Sequence, residues 1–313
     1  MSTGLGTGGV LITSGYRLWL TAAITFLLFS VSLSSCHKEV SETAQSGETA
    51  YSFEIYPTAL SLFPEELPIE KADIRQAQPA SLNRPVGGTV SHHLLAAEGI
   101  DLWFQSLAVY GKIDTFIIIS PVHWATGGAA LKITDLPWDA GFGIVECDTE
   151  AVEFLSESVP LNKEREAFHL EHGIGSLIPY IAAYFPGSRV VPILQREETL
   201  DTDGLGDLAA AIGELVVSNP RTRYFLMVSA DFSHHAGIET TGERDSRTES
   251  VLPTLLRKNL PLMYSDNRGG LLLLSEFLGG VVHDYRLIGH TNSYKISGMD
   301  KEDITSYFFT LYW

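Results

Sequence analysis

Between residues 86 and 313 short apolar runs alternate with longer amphipathic stretches, and that alternation leaves few folds open. Thr115–Ile119 reads T-F-I-I-I, and Tyr224–Ser229 reads Y-F-L-M-V-S; neither run shows a solvent face. Strands of that kind belong inside a sheet covered on both sides. Gly87–Ser91, Ala129–Ile133 and Arg189–Leu194 are further strand candidates, with Pro192 predicting an edge or a bulge in the last. Tyr285–Gly289 and Tyr307–Tyr312 read as closing strands. Helical spacing covers His93–Tyr110, Asp148–Ser158, Gly173–Tyr184, Asp203–Val217, Arg244–Arg257 and Gly270–Leu278. Pro179 is expected to kink or shorten the third of these. The order predicts an α/β fold: one three-layer sandwich with a mostly parallel or mixed central sheet. No linker interrupts it, so residues 51–313 read as one domain, with the Pro-bearing stretch 51–85 as a lead-in that wraps it.

The first 36 residues follow another logic. Arg17 precedes an apolar run from Leu18 to Val31, shorter than the roughly 20 residues that span a bilayer. Its length suits the core of a signal peptide. Leu33-Ser34-Ser35-Cys36 follows and resembles the lipobox of bacterial lipoproteins, in which the cysteine carries the lipid. Residues 37–50 are polar and read as a flexible tether. A lipid-anchored protein of the cell envelope, or a secreted or periplasmic one, is therefore expected, with Cys36 as the membrane attachment.

Charge narrows the partners. With 38 acidic against 21 basic residues the net charge is -17, which repels phosphate backbones and attracts cations. No nucleic-acid partner is expected. The two cysteines, Cys36 and Cys147, form no thiolate zinc pattern, and Cys147 reads as a buried structural residue.

Histidines gather where such a fold would use them. In open α/β sheets ligands bind beyond the carboxyl ends of the strands. There the sequence places His92 and His93 after the first strand, His123 after the second, and Asp231-Phe232-Ser233-His234-His235 after Tyr224–Ser229. A fourth cluster, His169-Leu170-Glu171-His172, precedes a helix. Converging imidazoles and carboxylates are what a divalent transition metal requires. Taken singly, a histidine at a strand end is more commonly a surface or hydrogen-bonded residue. No G-x-S-x-G elbow and no phosphate-binding glycine pattern is present. Ser120 and Ser233, close to histidines, leave a hydrolase as a minor alternative.

Several of these residues carry a family resemblance. Glu171-His172-Gly173-Ile174 through Pro179-Tyr180 resembles the E-H-S-I-E-x-x-L-P-[YF] motif of the Memo family, also called AmmeMemoRadiSam system protein B. Val191-Pro192-Ile193-Leu194 is similar to its V-P-[IV]-L, Val228-Ser229-Ala230-Asp231-Phe232-Ser233-His234 to its V-S-S-D-F-[SC]-H, and Ser120-Pro121-Val122-His123 to its G-P-x-H. The resemblance implies a fold like that of the LigB-like class III extradiol dioxygenases. It also implies a metal held by His92, His123 and the residue at the family's cysteine, which aligned on Arg268 is Asp266. Two histidines and a carboxylate are ligands associated with non-haem Fe(II). Iron is therefore the expected metal, His234 the acid/base group, and Asp231 and His172 its supports. The second glutamate of the motif is Gly175 here, and His93-Leu94-Leu95 departs from the family's A-G-Y. Two functions follow as alternatives: a metal-dependent redox enzyme, or a non-catalytic module that binds a small molecule, peptide or anion in the same cleft.

Overall fold

The apolar runs become the centre of a nine-stranded sheet. A computed structural model describes residues 54–57, 83–124, 129–196, 203–279, 284–298 and 300–313. The segments expected to be a signal peptide and a tether, Cys36 among them, and most of the expected lead-in lie outside these residues. In chain order the sheet is built from β1 (Gly87–Val90), β2 (Thr115–Pro121), β3 (Leu131–Ile133), β6 (Asn162–Lys163), β7 (Arg189–Gln195), β8 (Tyr224–Ser229), β9 (Phe232–Ala236), β10 (Tyr285–Asn292) and β11 (Ile304–Tyr312). β4 (Trp138–Asp139) and β5 (Ile144–Val145) form a separate antiparallel pair. The helices are α1 (Ala97–Ala108), α2 (Thr149–Ser158), α3 (His172–Gly175), α4 (Ile178–Tyr184), α5 (Asp203–Ser218), α6 (Ile238–Val251), α7 (Arg268–Phe277) and α8 (Ser293–Ser297). All described residues fall within one compact unit, Ala50–Trp313. Among them no helix is long and apolar enough to cross a membrane.

The strands run in the order β10-β11-β1-β8-β2-β7-β3-β6, with β9 also pairing to β11. The central four are parallel: β1 to β8, β8 to β2, and β2 to β7. β11 and β3 meet this core antiparallel, so the sheet is mixed. Side chains alternate across it, as the period of a strand demands. Ile117, Ile119, Leu226 and Val228 join one buried cluster with Val152, Leu208 and Leu271 from α2, α5 and α7. Phe116, Ile118, Phe225 and Met227 join another with Trp103, Phe104 and Tyr180 from α1 and α4. Each face is thus covered by helices, which is the three-layer sandwich that the run pattern predicts.

Several local expectations change. The helix expected at 173–184 is two, α3 and α4, and Pro179 sits in the first turn of α4, where no amide proton is needed. Pro192 is not on an edge, because β7 lies between β2 and β3. It falls where the neighbour changes: Val190 bridges to Cys147, and β3 pairs from Ile193 onward. The missing N–H therefore interrupts no ladder on that side. α6 begins at Ile238, well ahead of the expected Arg244, and buries Thr241, Asp245 and Thr248. A helix whose inner face is partly polar leaves a faint apolar period. The Phe232–Ala236 stretch is itself a strand, kinked by left-handed backbone at Ser233 (φ 42°) and His235 (φ 51°).

Candidate functional site

Because β1, β2 and β8 are parallel neighbours, their carboxyl ends open on one edge. His92 leaves β1, His123 leaves β2 and Asp231 leaves β8, so three stretches far apart in sequence arrive in one hollow. Asp266 reaches it by backbone pairing. Its N–H donates to the Asp231 carbonyl (3.1 Å), the Asp231 N–H donates to Asp266 Oδ1 (2.9 Å), and Ser233 N–H donates to the Tyr264 carbonyl (3.1 Å). Glu171 caps α3, and His172 is the first residue of that helix.

The six residues singled out in the sequence divide into a centre and a rim. His92, His123 and Asp266 meet: Asp266 Oδ2 lies 3.4 Å from His92 Nε2 and 3.9 Å from His123 Nε2. Asp231 Oδ2 lies 3.9 Å from His92 Nε2. The His172 ring adjoins, its centroid 4.0 Å from that of His123 and 5.4 Å from that of His92. Two overlapping groups have ligand atoms close enough for one ion: His92, His123 and His172, and His92, Asp231 and Asp266. His234 stands further out, 37% exposed, with Nε2 4.0 Å from Asp231 Oδ2.

Hydrogen bonds decide which nitrogen of each ring is available. Ser229 donates its hydroxyl proton to the Gly173 carbonyl (2.5 Å), so His92 Nδ1, 2.9 Å from Ser229 Oγ, must be the donor of that pair. His92 Nε2 is left as a bare lone pair facing the two carboxylates. On His123, Nδ1 donates to Glu171 Oε1 (2.6 Å), and Glu171 also accepts from the His123 and Gly173 backbone amides (3.0 and 2.9 Å). A carboxylate that grips one imidazole nitrogen aims the other. Gly173 lies so close to Ser120 and His123 that a β-carbon there would collide with Ser120 Oγ.

The electrostatics are uneven. Burial, then the neighbouring His123 and His172, holds the His92 pKa well below its usual range. His172 is lowered to about 4, by burial first and then by His123. Burial also opposes charge on His123, but Asp266 and Glu171 outweigh it and push its pKa up to about 9. Burial, then Asp266, raises the Asp231 carboxyl well above the carboxylate range. Ser91 donates to Asp231 Oδ1 (2.6 Å), yet Asp231 Oδ2 and Asp266 Oδ2 are both buried without a hydrogen-bond partner. Two unsatisfied carboxylate oxygens opposite a bare imidazole lone pair repel one another unless a proton or a cation lies between them. The raised His123 and Asp231 are that crowding answered with protons, whose place a cation could take. The donors therefore fit a cation.

Ser120 and Ser233 do not fit a nucleophile. The first donates to the Pro121 carbonyl (3.0 Å), and the second is buried with no hydrogen-bond partner, so no imidazole activates either. Cys147 is buried, and burial followed by Asp135 and Asp148 pushes its thiol up to about 12, which suits a structural residue.

Two residues here escaped the sequence reading. Asn267, fully buried, binds the ends of β2, β7 and β8 at once. Its only sequence signal is its place before Arg268-Gly269-Gly270, an N-cap position. Trp124, half-exposed, stands at the mouth and donates to the Leu170 carbonyl (2.9 Å). An exposed aromatic directly after a site histidine could have drawn attention.

A family model described as Memo-like protein matches residues 97–268. A MEMO1 family protein of Pyrobaculum aerophilum is 30% identical over 193 residues, covering 59% of this chain and 68% of its own. One from Pyrobaculum arsenaticum is 32% identical over 172 residues (54% and 60%), and one from Caldivirga maquilingensis 33% over 145 residues (46% and 50%). The chain thus spans between half and about two thirds of the length of these relatives.

Proposed function

The chain belongs to the Memo-like protein family, and from that premise we propose that its cleft holds one divalent transition-metal ion, with iron the preferred metal. His92 Nε2, His123 Nε2 and Asp266 Oδ2 would be the ligands, with Asp231 Oδ2 and His172 within reach. The observation that carries this reading is the pair of buried, unpartnered carboxylate oxygens facing the bare His92 nitrogen. Nitrogen and oxygen donors without a thiolate favour iron over Cu(I). Bound ferrous iron would supply redox chemistry at positions that two histidines and a carboxylate leave open.

The protein's own groups would do the rest. Glu171 keeps the His123 ring turned and its Nδ1 protonated. His234, partly exposed and with Nε2 4.0 Å from Asp231, would pass a proton between the cleft and water. Trp124 and Leu170, both exposed at the mouth, offer an apolar rest for a small molecule or peptide. That rim also favours a second reading, a binding module that transforms nothing.

Protein made without a polyhistidine tag and loaded anaerobically with Fe(II) is expected to retain about one iron per chain, and His92→Ala to retain roughly a tenth of that or less. Absence of any transition metal after loading would sink the proposal. Ligand binding that survives both chelation and His123→Ala would favour the binding module.

We also place the protein in the cell envelope, supported by the apolar Leu18–Val31 run and the Leu33-Ser34-Ser35-Cys36 motif. Cys36→Ala is expected to move the protein from the membrane to the soluble fraction. An unchanged fractionation would refute lipid attachment there.

A further inference from the structure

We infer that Tyr56, which lies ahead of the region matched by the family model, is a positioning residue for the cleft: it braces the turn that delivers Glu171 and His172. The functional half of this presupposes the metal site proposed above; the structural half does not.

Tyr56 is fully buried. Its backbone is spliced onto β4: its N–H donates to the Pro137 carbonyl (3.0 Å) and its carbonyl accepts from the Asp139 N–H (2.9 Å). Its ring packs against Trp138 (centroids 4.6 Å apart) and Phe168 (6.2 Å). The phenol donates to the Arg165 carbonyl at 2.8 Å. With that proton committed, the Thr134 hydroxyl, 2.7 Å away, donates to the phenol oxygen. Both ends of the hydroxyl are therefore used, and one of them holds main chain.

That main chain opens the 3-10 turn Arg165–Phe168. The turn is only four residues long, and the bonds at its two ends, Ala167 N–H to the Glu164 carbonyl and His169 N–H to the Glu166 carbonyl, are both 3.2 Å long. Beyond the burial of Ala167 and Phe168 it therefore gains from an outside anchor. Its ion pair, Arg165 with Asp135, is on the surface and adds little. Beyond the turn, the Phe168 carbonyl accepts from the Glu171 N–H (3.2 Å), and Glu171 holds His123 at the ring and the backbone. A continuous path thus runs from the phenol to the nitrogen that aims His123. A tyrosine that merely filled the hollow between Trp138 and Phe168 would be replaced by phenylalanine without consequence, so the two readings separate on one hydroxyl.

The test is amide exchange by mass spectrometry and cobalt(II) titration on the full chain, for wild type, Tyr56→Phe and Tyr56→Ala. Tyr56→Phe is expected to speed exchange in 165–173 about tenfold, to leave α5 and β2 unchanged, and to raise the cobalt dissociation constant about tenfold with altered d–d bands. Tyr56→Ala is expected to do more of the same; should it fail to fold, Tyr56→Phe decides. Unchanged exchange in 165–173, or faster exchange everywhere, would overturn the bracing role. Faster local exchange with unaltered cobalt binding would overturn the link to the cleft. If wild type binds no cobalt, the metal proposal fails, and the exchange data alone decide whether Tyr56 braces the turn.

Discussion

Asp266→Asn is expected to weaken metal binding by at least about 100-fold while its metal-free form melts close to wild type. The substitution preserves shape, and the amide oxygen can still accept from the Asp231 N–H as Oδ1 does now (2.9 Å). What changes is the other atom. Asp266 Oδ2 is buried without a hydrogen-bond partner, 3.4 Å from the bare His92 Nε2 and close to the buried Asp231 carboxyl. An amide N–H there would donate to His92 and remove one of two crowded acids. The metal-free protein thus loses a repulsion and gains a hydrogen bond, set against the lost attraction between Asp266 and His123, whereas a bound cation simply loses a charged ligand. A large loss of binding beside a small change in stability is the mark of a group retained for function. Chelator-competition affinities and melting curves in excess chelator measure both. A metal-free melting point several degrees lower, with affinity unchanged, would make Asp266 a structural residue and leave His172 to complete the site.

Asn267→Ala should be the most destabilising polar substitution near the cleft, at roughly 3–5 kcal/mol. Asn267 is fully buried, and both ends of its amide are used. Nδ2 donates to the Ile119 carbonyl (3.0 Å) and the Ser229 carbonyl (2.7 Å), at the ends of β2 and β8. Oδ1 accepts from Gln195 Nε2 (3.0 Å), at the end of β7, and from the Gly270 N–H (2.8 Å), capping α7. Alanine would leave two strand-end carbonyls, a buried amide and a helix N–H without these partners. Each such loss costs about 1–3 kcal/mol when the group cannot reach water. Packing shows how closely this junction is built. A β-carbon on Gly270 would come within 2.5 Å of Asn267 Oδ1, and one on Gly269 would strike the Gln195 amide, so the two glycines admit the network. Urea unfolding of metal-free protein measures the loss. Asn267→Asp separates the parts: it keeps the cap, removes both donations and adds a negative charge beside Asp266. A loss below about 1 kcal/mol for Asn267→Ala would mean that water replaces the amide and that the junction is not what holds the three strands together.

Much of this arrangement was legible in the residue order. Burial on both faces writes itself into consecutive residues, so the runs at Thr115–Ile119 and Tyr224–Ser229 announced parallel central strands, and the residues after them were bound to share an edge. With the strand read at Gly87–Ser91 this gave the expectation that His92, His123 and Asp231 meet, and the motif around Glu171-His172 pointed to the family. Less was legible where polar residues are buried. α6 hides Thr241, Asp245 and Thr248 and so lacks a clear period, and β9 is kinked at Ser233 and His235. Only the tertiary structure decided that Asp266 meets Asp231 through paired backbone, that Ser229 leaves His92 Nε2 bare, that Asn267 ties three strand ends, and that Tyr56 reaches Arg165. The physical reason is range. Burial leaves a periodic mark on neighbouring residues, whereas a hydrogen bond between groups a hundred positions apart leaves none on either until the chain brings them within 3 Å.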